Sequence, residues 1–496
     1  METEHMEERD HPPEERDERD EREEVVLDLR GRDLIIVPPA ALWPLDDAAL
    51  CAALFGPSEA AAARALLVRD RRARMLRARP IDFAALKAAL AAACPYPVRV
   101  AFDEAPRLPA ALTPAVAPRP YQEEALLAWR AAGYRGVVVL PTGGGKTIVG
   151  ALAIADLALH TLVVVPTIDL LHQWRAALAS ALGIAAEAIG VYGGGARELR
   201  PITIVTYESA QLHPELPRRV GLLIFDECHH LPAPSYRQIA EGGFTPCRLG
   251  LSATPERADQ EHLALDFLIG PEVYRRAPHE LAASRYLAAY DERRVPIALS
   301  DDERACYDAA RAAYRGYVAR HRLAIASPAD FQRKILWAAA RDPEARAAML
   351  AWREARSLAL NAPAKLALLE EIFARHRDER VLVFSEYNSL VDDVSRRFCI
   401  PQITHKTPAE ERRAILDRFR AGQYTKLVTG RVLNEGVDIP DCGVAVIVSG
   451  TATRREYIQR LGRVLRPKET RAILYELVTE DTTEERVAER RKGQVS

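Results

Sequence analysis

Two separate stretches of the chain predict an α/β protein with two parallel-sheet domains. In each stretch, short continuous apolar runs alternate with helix-period segments. A strand that is apolar at every position is buried on both faces, as in a parallel sheet sandwiched between helices. The first stretch, Tyr121 to about Gly270, holds the runs Gly136–Leu140, Leu162–Val165, Ile202–Val205, Leu222–Phe225 and Arg248–Leu251. The second holds Val381–Phe384, Leu427–Val428, Val444–Val448 and Ile473–Leu477. Length agrees, because 496 residues exceed what one hydrophobic core organises.

The rest of the chain falls into place around these two stretches. Residues 1–24 carry thirteen acidic residues and four arginines, a balance of −9, and no aromatic residue. Such a segment has nothing to bury and is expected to be a disordered tail. Against a whole-chain charge of −2, the remainder carries +7, which permits phosphate contacts. Residues 25–108 read as a small accessory domain: two short strands, VVLDLR and DLIIVPP, then Ala- and Leu-rich helices over 46–93. A proline-rich linker follows, and 109–275 form the first α/β domain. Residues 276–360 are expected to be a linker and a helical insertion, 361–480 the second α/β domain, and 481–496 a charged tail.

Composition excludes several classes. The chain is 48% hydrophobic and 28% charged, and it has no stretch of about 18 apolar residues to span a membrane. The charged N-terminus does not read as a secretory signal, so a cytoplasmic location is expected. Seven cysteines lie scattered with no CxxC pair, which argues against a zinc ribbon, an iron–sulfur cluster or a disulfide framework.

The chemistry starts at Leu140–Thr147, LPTGGGKT, between a strand and a helix. This is the setting of a phosphate-binding loop. Its glycines let backbone N–H groups close around phosphate oxygens, and the helix N-terminus adds positive potential. Thr142, Gly143, Gly144 and Gly145 are expected to cradle the phosphates of ATP. Lys146 is expected to reach the β- and γ-phosphates, and the Thr147 hydroxyl to bind Mg²⁺. Downstream, the strand of LLIFDECHH (222–230) delivers Asp226 and Glu227 at its C-terminal end, where parallel sheets bind ligands. Asp226 suits Mg²⁺, and Glu227 suits the general base that orients the attacking water.

Taken together, these motifs resemble superfamily 2 helicases of the DExH-box type. Asp226-Glu227-Cys228-His229 is similar to the box itself, with His229 as its last member. Leu251–Pro255 resembles the SAT motif that couples hydrolysis to strand movement through Ser252 and Thr254. VVVPTIDLLHQW (163–174), with Pro166 and Thr167, resembles the first strand-contacting motif, and Thr206 in VTYES another. RPYQ, with Arg119 and Gln122, resembles the adenine-reading segment. VTGRVLNEGVDIP (428–440), with Gly436 and Asp438, and QRLGRVLR (459–466), with Gln459, Arg463 and Arg466, resemble motifs five and six. Arg463 and Arg466, three apart, would share one helix face and stabilise charge on the transferring phosphoryl group.

Within that superfamily the likeness is to the XPB family, particularly its bacterial and archaeal forms. It is carried by RPYQEEAL, ATPERAD, SRRFCIPQITHKTPAEER, RVLNEGVDIPD and LVTEDTTEE, and the helicase pattern covers roughly residues 115–480. The resemblance implies two RecA-like domains, a thumb-like helical insertion and an N-terminal DNA- or damage-sensing module. It also implies ATP hydrolysis coupled to 3′→5′ movement on duplex or tailed DNA in repair. No nuclease signature is apparent, so cutting would need a partner, and a nuclease or repair protein is expected in that role. The family's Arg-Glu-Asp motif is not intact, since Arg257-Ala258-Asp259 stands near its place. An RNA helicase and the motor subunit of a restriction or defence complex stay open as alternatives. In the insertion, Arg304, Arg311, Arg315, Arg320, Arg322, Arg333 and Lys334 interleave with Tyr307, Tyr314, Tyr317 and Trp337. This mixture fits either backbone contact or plain packing.

Deleting residues 1–24 is expected to leave the melting temperature and ATPase rate unchanged, because no apolar content is lost. DNA affinity is expected to rise modestly as negative charge is removed. Calorimetry and a DNA titration of the truncated chain check both outcomes.

Overall fold

The computed structural model describes residues 24–104, 106–218, 220–257, 259–277, 280–281, 290–325, 328–360, 363–430, 442–449, 472–486 and 488. The expectations for the tail and for Gly436, Asp438, Gln459, Arg463 and Arg466 lie outside the described residues. The chain divides into two compact units, one carrying the first sheet and most of the second, the other carrying the third together with residues 138–147 and 251–255. Among the described residues no helix is long and apolar enough to cross a membrane.

The N-terminal sheet holds β1 (Val25–Arg30), β2 (Asp33–Val37), β3 (Val68–Asp70), β4 (Met75–Ala78) and β5 (Val98–Val100), in the order β3-β4-β2-β1-β5. Helices α1 (Asp47–Leu66, broken at Gly56-Pro57) and α2 (Phe83–Ala93) bury Leu50, Leu54, Phe55, Leu86 and Leu90 in its core. The stretch 46–93 thus contains the antiparallel pair β3–β4 as well as the expected helices. VRD and MLRA are short and carry arginines, so neither shows the apolar run that marks a strand. This domain packs on the next through aromatic rings. Phe83 and Phe102 lie 5.7 Å and 4.6 Å from Phe244, and the Arg79 guanidinium stands over the Phe267 ring at 5.3 Å.

The second sheet holds β6 (Arg135–Val139), β7 (Thr161–Val165), β8 (Ile189–Gly193), β9 (Ala196–Arg197), β10 (Ile202–Thr206), β11 (Leu222–Asp226), β12 (Cys247–Ser252) and β13 (Glu272–Arg275). Their order is β13-β6-β12-β11-β7-β10-β8-β9. Strand β7 pairs in parallel with β10 and β11, and all three are buried along their whole length. Helices α3 (Pro120–Ala131), α4 (Lys146–Leu157), α5 (Ile168–Leu182), α6 (Tyr207–Leu212) and α7 (Arg237–Glu241) belong to this domain. One strand position holds a buried arginine. Arg248 is 1% exposed, and its guanidinium donates to the carbonyls of Thr245, Leu268 and Gly243 at 3.0, 2.6 and 2.7 Å. Burial pushes its pKa down to about 9.

The third sheet is parallel throughout, in the order β14-β19-β18-β15-β17-β16. Its strands are β14 (Tyr290–Ile297), β15 (Val381–Ser385), β16 (Gln402–Ile403), β17 (Lys426–Thr429), β18 (Val444–Ser449) and β19 (Ala472–Thr479). Strand β14 stands in the stretch read as linker. Its sequence YDERRVPI is polar because it is an edge strand, and Arg294 pairs with Glu476 of β19 at 3.2 Å. Two long helices, α8 (Asp301–Arg320) and α9 (Pro343–Leu360), pack together in the insertion. Ser300 and Glu303 form a capping box that starts α8. Tyr307 and Tyr317 are buried in the insertion's packing, whereas Trp337 is 64% exposed.

The insertion is anchored by a buried ion pair. Helix α10 (Ala364–Arg375) presents Lys365, whose ammonium meets Glu484 at 2.7 Å, both side chains being at most 1% exposed. Lys365 also donates to the carbonyls of Leu360, at the end of α9, and Val448 in β18. Glu484, in the stretch expected to be a charged tail, is therefore a core residue. Burial pushes its carboxyl up, and the Lys365 ammonium pulls it back.

Lys365→Met is expected to lower stability by about 3–5 kcal/mol, because it leaves the Glu484 carboxylate buried without its cation. The loss should shrink at acid pH. A carboxyl whose folded pKa lies above its unfolded value binds a proton on folding, so stability falls as pH rises between the two values. Urea melts of both chains at pH 5 and pH 8 check the size and the sign.

Candidate nucleotide site and strand-contacting motifs

The loop after β6 is shaped by its glycines. Gly143 and Gly145 have φ of +81° and +74°, a region in which residues with a Cβ are strained. Gly144 is closed to a side chain for another reason: a Cβ there would stand 2.9 Å from the Pro141 carbonyl oxygen. Helix α4 begins at Lys146, directly after the last glycine. The Thr142 hydroxyl oxygen is buried and has no hydrogen-bond partner among the described residues. A buried hydroxyl in that condition is costly unless something else pairs with it. Glycine conformation, helix start and orphaned hydroxyl together fit a phosphate ligand.

Two strands away in the same sheet, β11 ends in Asp226, which is 4% exposed. One carboxylate oxygen accepts the Trp174 indole N–H at 2.7 Å, and the other accepts the Glu227 backbone N–H at 3.0 Å. Glu227 has φ 45° and ψ 52°, a left-handed conformation that costs a non-glycine residue about 1–3 kcal/mol. The strain turns the chain sharply off the strand end into the 3₁₀ turn Cys228–His230. His229 is fully buried, with Nδ1 3.4 Å from the Glu227 carboxylate. A buried acid held at the end of a parallel strand, followed by a second acid on a tight turn, suits a hydrated divalent cation and a base beside it.

The SAT segment leaves β12. Ser252 is fully buried, and its hydroxyl accepts the Thr254 N–H at 3.2 Å. The Thr254 hydroxyl is buried without a partner among the described residues. Beyond it, Arg257 donates to the His229 carbonyl at 3.0 Å and forks onto Asp259 at 2.6 Å. That guanidinium holds the Asp259 carboxyl down at about 2. Arg257 thereby ties the segment after Thr254 to the turn after Glu227, a link that sequence spacing does not reveal.

The remaining expected residues sit at helix starts. Gln122 is 3% exposed, and its side-chain oxygen accepts the Arg119 N–H at 2.9 Å at the start of α3. Thr167, following Pro166, caps α5 by accepting the Leu170 N–H at 3.2 Å. Thr206 caps α6 by accepting the Ser209 N–H at 3.2 Å. Sequence reasoning left Trp174 and Tyr207 without a role, although both fall inside the quoted motifs. Their signal was the presence of large polar-tipped aromatics on helices covering the sheet, where a buried N–H or O–H needs a partner.

Gly144→Ala is expected to weaken binding of a fluorescent ATP analogue at least tenfold, because the loop must move away from Pro141 to admit the methyl group. The melting temperature should change by only a few degrees, since the loop lies outside the core. Fluorescence titration beside a melting curve checks the pair.

Comparison with known proteins matches these elements in order. The family model "Type III restriction enzyme, res subunit" matches residues 115–257, and "Helicase conserved C-terminal domain" matches 364–468. The DNA 3′-5′ translocase XPB2 of Sulfurisphaera tokodaii is 40% identical over 375 residues, covering 75% of this chain and 84% of that protein. The DNA 3′-5′ helicase XPB of Mycobacterium tuberculosis is 34% identical over 373 residues, covering 73% of this chain and 60% of that protein. The crystal structure of the Pyrococcus furiosus Hef helicase domain superposes with a TM-score of 0.53 at 18% identity, over 75% of this chain and 98% of that one, which supports the fold alone. On the Sulfurisphaera match, with both helicase models in register with the two parallel sheets, the chain belongs to the XPB family of superfamily 2 helicases.

Proposed function

We propose that this chain is an ATP-driven DNA helicase or translocase that moves 3′→5′ and serves DNA repair. The observation that carries this reading is one parallel sheet with a glycine phosphate loop after β6 and the Asp226-Glu227 pair after β11, in a chain with a second such sheet. The relatives named as DNA 3′-5′ helicases or translocases support the substrate and the direction.

In this reading the loop 142–145 and Lys146 bind the phosphates, and Arg119 and Gln122 read the base. Mg²⁺, when bound by Thr147 and Asp226, would neutralise charge on the phosphate oxygens. Glu227 takes a proton from the attacking water, and His229 beside it positions the carboxylate. By the family resemblance, Gly436 and Asp438 are assigned to nucleotide binding, and Gln459, Arg463 and Arg466 to stabilising the charge that develops on the phosphoryl group. Pro166, Thr167 and Thr206 contact the strand, with Ser252 and Thr254 coupling hydrolysis to its movement. The exposed Trp337 and the cationic side chains Arg315, Arg322 and Arg333 are the insertion's candidates for DNA contact, because Tyr307 and Tyr317 are committed to packing. A nuclease or repair protein is the partner expected to act on the product.

ATPase and strand displacement measured side by side on duplex DNA, tailed DNA and RNA test the reading. Lys146→Ala should abolish turnover, and Glu227→Gln should retain ATP binding without hydrolysis. Arg463→Ala should cut DNA-stimulated turnover by about a thousandfold, the scale of an arginine finger. Parent-rate hydrolysis by Glu227→Gln with DNA present would remove the base assignment, and stimulation by RNA alone would remove the DNA assignment.

A further inference from the structure

Asp226 is gripped from two sides by residues of the strand-contacting motifs. Helix α5 follows Thr167 and sends Trp174 inward, where its indole N–H donates to Asp226 Oδ2 at 2.7 Å. The residue after Thr206 is Tyr207, whose hydroxyl donates to the Asp226 backbone carbonyl at 3.1 Å. Trp174 and Tyr207 are each 1% exposed. At that burial neither donor is open to bulk solvent.

Trp174 also rests on the helix that follows the phosphate loop. A Cβ placed on Gly150 of α4 would stand 2.8 Å from the edge of its indole ring. A glycine within a helix is unfavourable, and here it makes room for that ring. One side chain therefore touches α4 and the carboxylate at the end of β11 while belonging to the helix that Thr167 caps. If α5 shifts, the indole N–H either carries the carboxylate with it or is left buried and unpaired, which is the costlier state. A packed interior transmits such a shift instead of absorbing it.

We propose that Trp174 and Tyr207 are positioning residues that transmit the arrival of a nucleic-acid strand at Thr167 and Thr206 to the carboxylate of Asp226. The inference rests on the proposed function, in which the strand binds at those threonines and Asp226 serves the nucleotide site. It adds the physical route between them. Neither residue touches nucleotide or strand. Each acts through the acid, the indole by aiming its carboxylate and the hydroxyl by fixing its backbone.

Trp174→Phe keeps an aromatic ring and removes the N–H, and Tyr207→Phe removes one oxygen. The readout is coupling. DNA affinity is measured with and without a non-hydrolysable ATP analogue, and analogue affinity with and without DNA. Coupling is reciprocal for binding, so both ratios should fall together, by about tenfold in the double variant. DNA affinity without nucleotide should stay within about twofold of the parent, because no strand contact is removed. The DNA stimulation of ATPase should fall as well. A purely structural role would lower the melting temperature and leave both ratios at the parent value, which overturns the inference. Should Trp174→Phe not fold, Tyr207→Phe carries the same expectation, with an unchanged ratio again overturning it. A parent chain that binds the analogue but shows no coupling to DNA overturns the DNA-motor reading itself, whereas a coupled parent with equally coupled variants overturns this inference alone.

Discussion

A parallel sheet covered on both faces has only its ends for chemistry. Strands β7, β10, β11 and β12 are buried along their whole length, so no side chain in their interior can meet a ligand. Apart from Arg119 and Gln122 at the start of α3, the residues expected to act in the first α/β domain follow from that constraint. The glycine loop leaves β6, Pro166 and Thr167 leave β7, Thr206 ends β10, Asp226 ends β11, and Ser252 ends β12 with Thr254 just beyond it. These are the carboxyl ends, where ligands of open α/β sheets bind. One strained residue lies at the same edge: Glu227 is held left-handed directly after β11.

The interior pays for its order in polar groups as well as apolar ones. Arg248 is buried without a carboxylate, and three backbone carbonyls hold it instead. Its lowered pKa reflects the lost hydration, while three charge-assisted bonds offset the cost. Lys365 and Glu484 make the same point in the third sheet. An apolar pair of similar volume would serve stability as well or better. What the ionic pair adds is direction, since Lys365 reaches the end of α9, strand β18 and Glu484 at once. The base of the helical insertion is thereby fastened to the sheet at a defined point.

The accessory domain is held to the first α/β domain by a cluster of rings. Phe244 packs within the N-terminal core beside Phe83, with Phe102 against both. Arg79 adds a cation over Phe267, a contact of modest strength at an exposed site. Aromatic rings supply much buried area with few rotatable bonds, so ordering them costs little entropy.

The sequence by itself determined the two parallel sheets, the glycine-rich loop after β6, the acidic strand end and the family. Buried parallel strands are written as continuous apolar runs, and a phosphate loop is a local arrangement of neighbouring residues. Elements without that signature were not legible: β3 and β4 are short and arginine-bearing, and the edge strand β14 is polar because one side of it faces solvent. The partners of buried polar groups were hidden for a different reason. Trp174 and Asp226 lie 52 residues apart, and Lys365 and Glu484 lie 119 apart. Nothing in the spacing of either pair requires them to meet. Only closure of the sheets and the packing of α5 and α10 on them decides which buried donor faces which acid. Local pattern therefore specified the candidate chemistry, and tertiary structure specified how its parts are joined.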